Sequence, residues 1–142
     1  MNKESIRKVL LVENQLDELT KVQVFLEELG EEWEINIPLV FSLNLVLEEA
    51  LTNVISYGFN DGNKHIIEIS FEKTGDELFI AIIDDGHEYD PTLKTDPDLT
   101  LSVEERPIGG LGIFLIKKIM DKVEYQRINN KNNLILTKKL ES

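Results

Sequence analysis

Two runs in which apolar and polar or small residues alternate, 65–73 (HIIEISFEK) and 77–83 (ELFIAII), stand three residues apart across Thr74-Gly75-Asp76. Side chains of one face recur at every second position of a half-buried strand, and a short loop containing glycine joins two such strands antiparallel. This hairpin constrains the fold most. It follows two helical stretches in succession, which breaks the strand–helix alternation of a doubly wound parallel sheet.

The remaining periodicities fit around it. Residues 6–12 (IRKVLLV) predict a first strand. Residues 17–29 carry Leu19, Val22, Phe25, Leu26 and Leu29 at helical spacing, with Gly30 as a stop signal. Pro38 opens a longer helix to about Tyr57, whose stripe is Val40, Leu43, Leu47, Ala50, Leu51 and Val54, with Gly58 just past its end. Leu115, Ile116, Ile119, Met120 and Val123 predict a third helix, and strands at 123–128 and 134–139 flank a turn signal, Asn129-Asn130-Lys131-Asn132-Asn133. The order β-α-α-β-β-α-β-β predicts an α/β (α+β) two-layer sandwich, with three helices on one face of a mixed, mostly antiparallel sheet. Its 142 residues suit a single domain over 1–142.

Composition narrows the chemistry. With no cysteine and only His65 and His87, disulfides, thiolate metal sites, cysteine nucleophiles and histidine-rich metal sites are excluded. A net charge of −12 argues against bulk attraction to nucleic acid or anionic lipid, which rests on Lys and Arg. No apolar run is expected to reach a membrane span, and the N-terminus lacks a signal-peptide pattern, so a cytoplasmic protein is expected. Charge is uneven: residues 1–105 hold 24 acids and 7 bases, residues 106–142 hold 8 bases and 3 acids.

Three local features carry chemistry. Glu49 and Asn53, at i and i+4, share a helix face roughly 100–140° from the centre of the apolar stripe. Such a pair is common on a solvated helix, but near a polyphosphate the carboxylate can accept a proton and the amide oxygen can bind a hard cation. Asp84-Asp85-Gly86 ends a hydrophobic strand, where a carboxylate can accept a hydrogen bond from an exocyclic amine such as that of adenine. After it, three prolines, Pro91, Pro97 and Pro107, punctuate a long stretch at about 87–112 that reads as a lid. Gly109-Gly110-Leu111-Gly112 then opens a helix, where free backbone N–H groups suit phosphate.

Taken in order, Glu49-Ala50-Leu51-Thr52-Asn53, the hairpin, strand-end Asp84-Asp85-Gly86, the lid and the 109–112 glycines resemble the GHKL (Bergerat-fold) ATPase superfamily. With Tyr57-Gly58-Phe59, they look most like its anti-sigma regulatory factor serine/threonine protein kinases. The resemblance implies ATP and Mg²⁺, with Glu49 as general base, Asn53 as the metal ligand, Asp84 on the adenine amine, Gly86 letting the backbone approach the base, and Gly110, Leu111 and Gly112 at the phosphates. It implies a STAS-domain antagonist as protein substrate, a sigma factor or other regulated protein as partner, and room for a homodimer. The chain departs from the family's Asp-x-Gly-x-Gly pattern by carrying Glu88 where a second glycine often stands, and Arg106 is not assigned to phosphate. The alternative is an ATP-binding switch that sequesters a protein without transferring phosphate. A plain scaffold of this fold is a further reading. A receiver domain, suggested by KVLLVEN at 8–14, is disfavoured by the hairpin.

Overall fold

The computed structural model of the protein describes residues 4–93 and 110–140. The elements are β1 (Ser5–Glu13), a 3-10 turn (Leu16–Glu18), α1 (Leu19–Glu32), α2 (Ile37–Tyr57), β2 (Ile66–Thr74), β3 (Glu77–Asp84), a second 3-10 turn (Pro91–Leu93), α3 (Gly110–Ile119), β4 (Lys122–Ile128) and β5 (Lys131–Lys139). Most of the expected lid, with Pro97, Arg106, Pro107 and Gly109, lies outside the described residues.

The strands form one five-stranded sheet in the order β1-β2-β3-β5-β4. Every ladder among the described residues is antiparallel, so the sheet is not mixed as expected. The hairpins β2–β3 and β4–β5 each reverse direction, and β1 and β5 join them in the same sense. Period-2 alternation puts Leu10, Ile69, Ile82 and Leu134 opposite one another across four strands, and all are buried. The helices cover this face, and α2 packs against both α1 and α3.

Asn36 starts α2 by accepting a hydrogen bond from the Leu39 amide at 2.8 Å, with Pro38 in the first turn. By length and composition alone this helix could cross a membrane, contrary to the expectation that no run here comes near a span. Its buried residues Leu43, Val46, Leu47, Ala50 and Leu51 belong to the main core cluster, while Ile37 and Phe41 in its first turns are exposed.

Two turn signals act differently from expectation. Gly30 does not end its helix, because α1 continues to Glu32 and the chain turns at Glu34, with φ 55°. Gly30 is instead a point of close approach: a Cβ there would lie 2.6 Å from Val40 Cγ2 of α2. At the other end of the chain the turn takes only two residues, Asn129 and Asn130, with φ 51° and 62°. Positive φ at both central residues is the type I′ requirement, which asparagine tolerates. Asn132 and Asn133, read as turn, therefore belong to β5.

Candidate functional site

The cleft lies between α2, α3 and the end of the sheet where β3 stops. Ile82 and Leu134 form part of its floor, Val54 and Ile113 line its sides, and Asp84 and Asn132 supply polar groups. Such a largely apolar hollow with a few convergent polar groups is the usual form of a small-molecule site.

Asp84 is the last residue of β3 and is only 4% exposed. Its Oδ1 accepts from the Gly86 amide at 2.9 Å and from Asn132 Nδ2 at 3.0 Å. Gly86 is required by crowding, since a Cβ there would lie 2.3 Å from the Gly58 carbonyl oxygen and 2.9 Å from Asp84 Oδ1. Gly86 thus packs closely against the end of α2, and His87 N reinforces the contact by donating to Gly58 O at 3.1 Å. Glu88, in place of a glycine, is exposed and is not among the non-glycine residues at positive φ. The backbone therefore asks nothing of this position that only glycine could give.

Glu49 and Asn53 are both half-buried on α2. α3 starts at Gly110 and lays its first turn against them: a Cβ on Gly112 would come within 2.9 Å of Glu49 Oε2 and 3.6 Å of Asn53 Nδ2. A side chain at 112 would therefore press on this carboxylate and amide. Gly110, Leu111 and Gly112 form the first turn of this helix, whose backbone N–H groups have no acceptor within the helix itself. Among the described residues no three His, Asp or Glu side chains could hold a metal ion by themselves. One amide with a neighbouring carboxylate suits a magnesium ion that brings phosphate and water oxygens with it.

Outside the cleft, His65 links two loops. Its Nδ1 lies 3.0 Å from Asp85 Oδ1 and its Nε2 2.8 Å from Asp61 Oδ2, while the ring stacks on Phe59 at 4.3 Å between centroids. The hydrogen bond to Asp61 is the main cause that holds the His65 pKa above its usual value, with Asp85 adding to it against partial desolvation. Asp61 is in turn held below the usual carboxylate value, first by the Asn63 amide and then by His65.

The structure thus brings Glu49, Asn53 and Gly112 together, with Gly110 and Leu111 in the same helical turn; of the expected site residues Asn53 and Asp84 line the cleft, and the Gly86 amide donates to Asp84. Sequence reasoning missed Asn132, which donates to Asp84, and Tyr125 and Arg127, which donate to Asn132. The inward alternation of Leu134 and Leu136, counted back to Asn132, was the signal that could have found the first of them.

The fold agrees with what known proteins show. The family model for the histidine kinase-like ATPase domain matches residues 12–138. The chain belongs to that family. Over 97 residues it is 36% identical to the serine/threonine-protein kinase BtrW of Bordetella bronchiseptica, a match covering 68% of each chain. Over 89 residues it is 32% identical to the serine-protein kinase RsbW of Bacillus velezensis, covering 59% of this chain and 55% of that one. The chain therefore matches between about half and two thirds of the length of these relatives, both of which are named as serine or serine/threonine protein kinases. Among solved structures, the RsbU and RsbW domains of Rv1364c from Mycobacterium tuberculosis superpose with a TM-score of 0.67 at 11% identity, covering 95% of this chain and 32% of that one. The catalytic domain of the histidine kinase ThkA gives a TM-score of 0.53 at 21% identity, covering 92% and 97%. At these identities the structures speak for the fold.

Proposed function

We propose that the chain is an ATP-dependent serine/threonine protein kinase that acts as an anti-sigma-type regulator. The observation that carries this reading is the contact at Gly112, where the start of α3 meets Glu49 and Asn53 beside the cleft that also holds Asp84. A general base, a polar metal ligand and free backbone N–H groups are thereby neighbours.

In this mechanism Asp84 accepts a hydrogen bond from the adenine amine, and the apolar walls at Val54, Ile82 and Ile113 hold the base. The amides of Gly110, Leu111 and Gly112 face the phosphates, where the positive end of a helix is favourable. Asn53 would hold magnesium, which would neutralise charge on the triphosphate. Glu49 orients the substrate serine or threonine hydroxyl and takes its proton as the oxygen attacks the γ-phosphorus, while the bond from that phosphorus to the bridging oxygen breaks and ADP leaves. Little covalent chemistry is asked of the protein, because positioning and charge neutralisation supply most of phosphoryl transfer.

The protein substrate on this reading is a STAS-domain antagonist, the regulated partner a sigma factor or a protein in its place, and the site of action the cytoplasm. The kinase names of the curated relatives support the transfer, and the negative charge of the chain fits protein partners better than nucleic acid. Incubation with γ-labelled ATP and the native partners, followed by mass spectrometry, tests it: a phosphoserine or phosphothreonine in the antagonist is expected. ATP binding without any labelled hydroxyl would favour a sequestering switch. Glu49→Gln separates these two readings, because a kinase loses transfer and keeps ATP whereas a pure switch keeps its full regulatory effect.

A further inference from the structure

We propose that Asn132 is the residue that sets base selection, by fixing the orientation of the Asp84 carboxylate beside it in the cleft; the inference rests on the reading of Asp84 as the adenine-amine acceptor. Asp84, Asn132 and Arg127 stand directly opposite one another on β3, β5 and β4, in one cross-strand row on the helix-covered face. Asn132 is 7% exposed.

Both ends of its amide are engaged. Nδ2 donates to Asp84 Oδ1 at 3.0 Å and to the His87 carbonyl at 2.9 Å. Oδ1 accepts from the Tyr125 hydroxyl, from Arg127 NH1 at 3.1 Å and from the Tyr89 amide at 3.4 Å. Acceptors surround the nitrogen and donors surround the oxygen, so the flipped amide would set like against like on both sides. Arg127 NH1 is anchored further by donating to the Gly86 carbonyl at 2.8 Å.

The consequence falls on Asp84. A carboxylate turns about its last torsion in a broad, roughly two-fold well, so nothing within the residue chooses which oxygen meets a ligand. The Asn132 and Gly86 donors bind the same oxygen, Oδ1, and that commits Oδ2 to the incoming base. An amine can donate to Oδ2, whereas a carbonyl oxygen in its place meets a second acceptor. A preset acceptor loses less ordering entropy on binding than one that must be turned into place.

The test compares the dissociation constants of ATP and inosine triphosphate, which carries a carbonyl where adenine has its amine. Parent protein is expected to prefer ATP by about 10- to 100-fold, the range of a charge-assisted hydrogen bond. Asn132→Ala is expected to shrink that preference about tenfold, by weakening ATP more than inosine triphosphate. If Asn132→Ala does not fold, as judged by circular dichroism, Tyr125→Phe takes its place. It removes one donor to the amide oxygen and is expected to lower the preference about threefold. Equal weakening of both nucleotides, or an unchanged ratio in a folded variant, overturns the inference and leaves the reading of Asp84 standing. A parent protein that binds the two nucleotides equally overturns the reading itself and the inference with it.

Discussion

Gly112→Ala separates folding from catalysis in one atom. The new Cβ would sit 2.9 Å from Glu49 Oε2, 3.6 Å from Asn53 Nδ2 and 3.8 Å from Glu49 Cβ. Ordinary contact begins near 3.5 Å, so the carboxylate must retreat by roughly half an ångström or more. That retreat costs the fold little, because Oε2 is the far end of a flexible side chain. Alanine inside a helix is meanwhile favoured over glycine by about 0.5–1 kcal/mol. For a chain of this size the expected melting temperature is therefore unchanged or raised by about 2–4 °C. Catalysis has no such slack. A general base works within hydrogen-bond reach of its proton, and a misplacement of about 1 Å can cost on the order of a hundredfold. Phosphate transfer from labelled ATP to the antagonist should fall about 10- to 100-fold while the thermal transition holds. Transfer within twofold of the parent would refute the placement of Glu49. A melting temperature lowered by several degrees would show that Gly112 serves the fold instead.

Asp84→Asn keeps an oxygen to accept from Gly86 and Asn132 but offers the base a donor; ATP affinity measured by calorimetry should drop about 10- to 100-fold, and an unchanged value would remove Asp84 from the site. Gly30→Ala forces a methyl to within 2.6 Å of Val40 Cγ2 between two packed helices; it should destabilise by about 1–3 kcal/mol in urea unfolding, and no loss would mean that α1 and α2 can separate freely. The His65 pKa is raised, so its contribution to stability is full below the ordinary value of 6.5 and lost as pH climbs through the raised value. The difference in melting temperature between the parent and His65→Gln should accordingly shrink as pH rises above the ordinary histidine value of about 6.5, and an NMR titration midpoint at or below that value would contradict the clasp.

The elements themselves were legible in the sequence, because a period of 2 or 3.6 is a local property that one face against a core is enough to impose. The hairpin at residues 65–83, the stripe along α2 and the sharing of a helix face by Glu49 and Asn53 all follow from spacing alone. So does the exclusion of cysteine and histidine chemistry, which left carboxylates, amides and backbone to do the work. Tertiary structure decided what depends on approach between distant segments. Gly30 read as a helix stop because a glycine after a stripe usually is one; only the closeness of Val40 shows its use. The run of asparagines at 129–133 read as one loose turn, yet positive φ at two of them closes a tight hairpin and turns Asn132 toward Asp84, 48 residues away in the chain. Composition marks a turn but not its length, and a slip of one residue would have pointed that amide out to solvent. Strand register, set by the turn and by long-range pairing, is where the local pattern stops and the site begins.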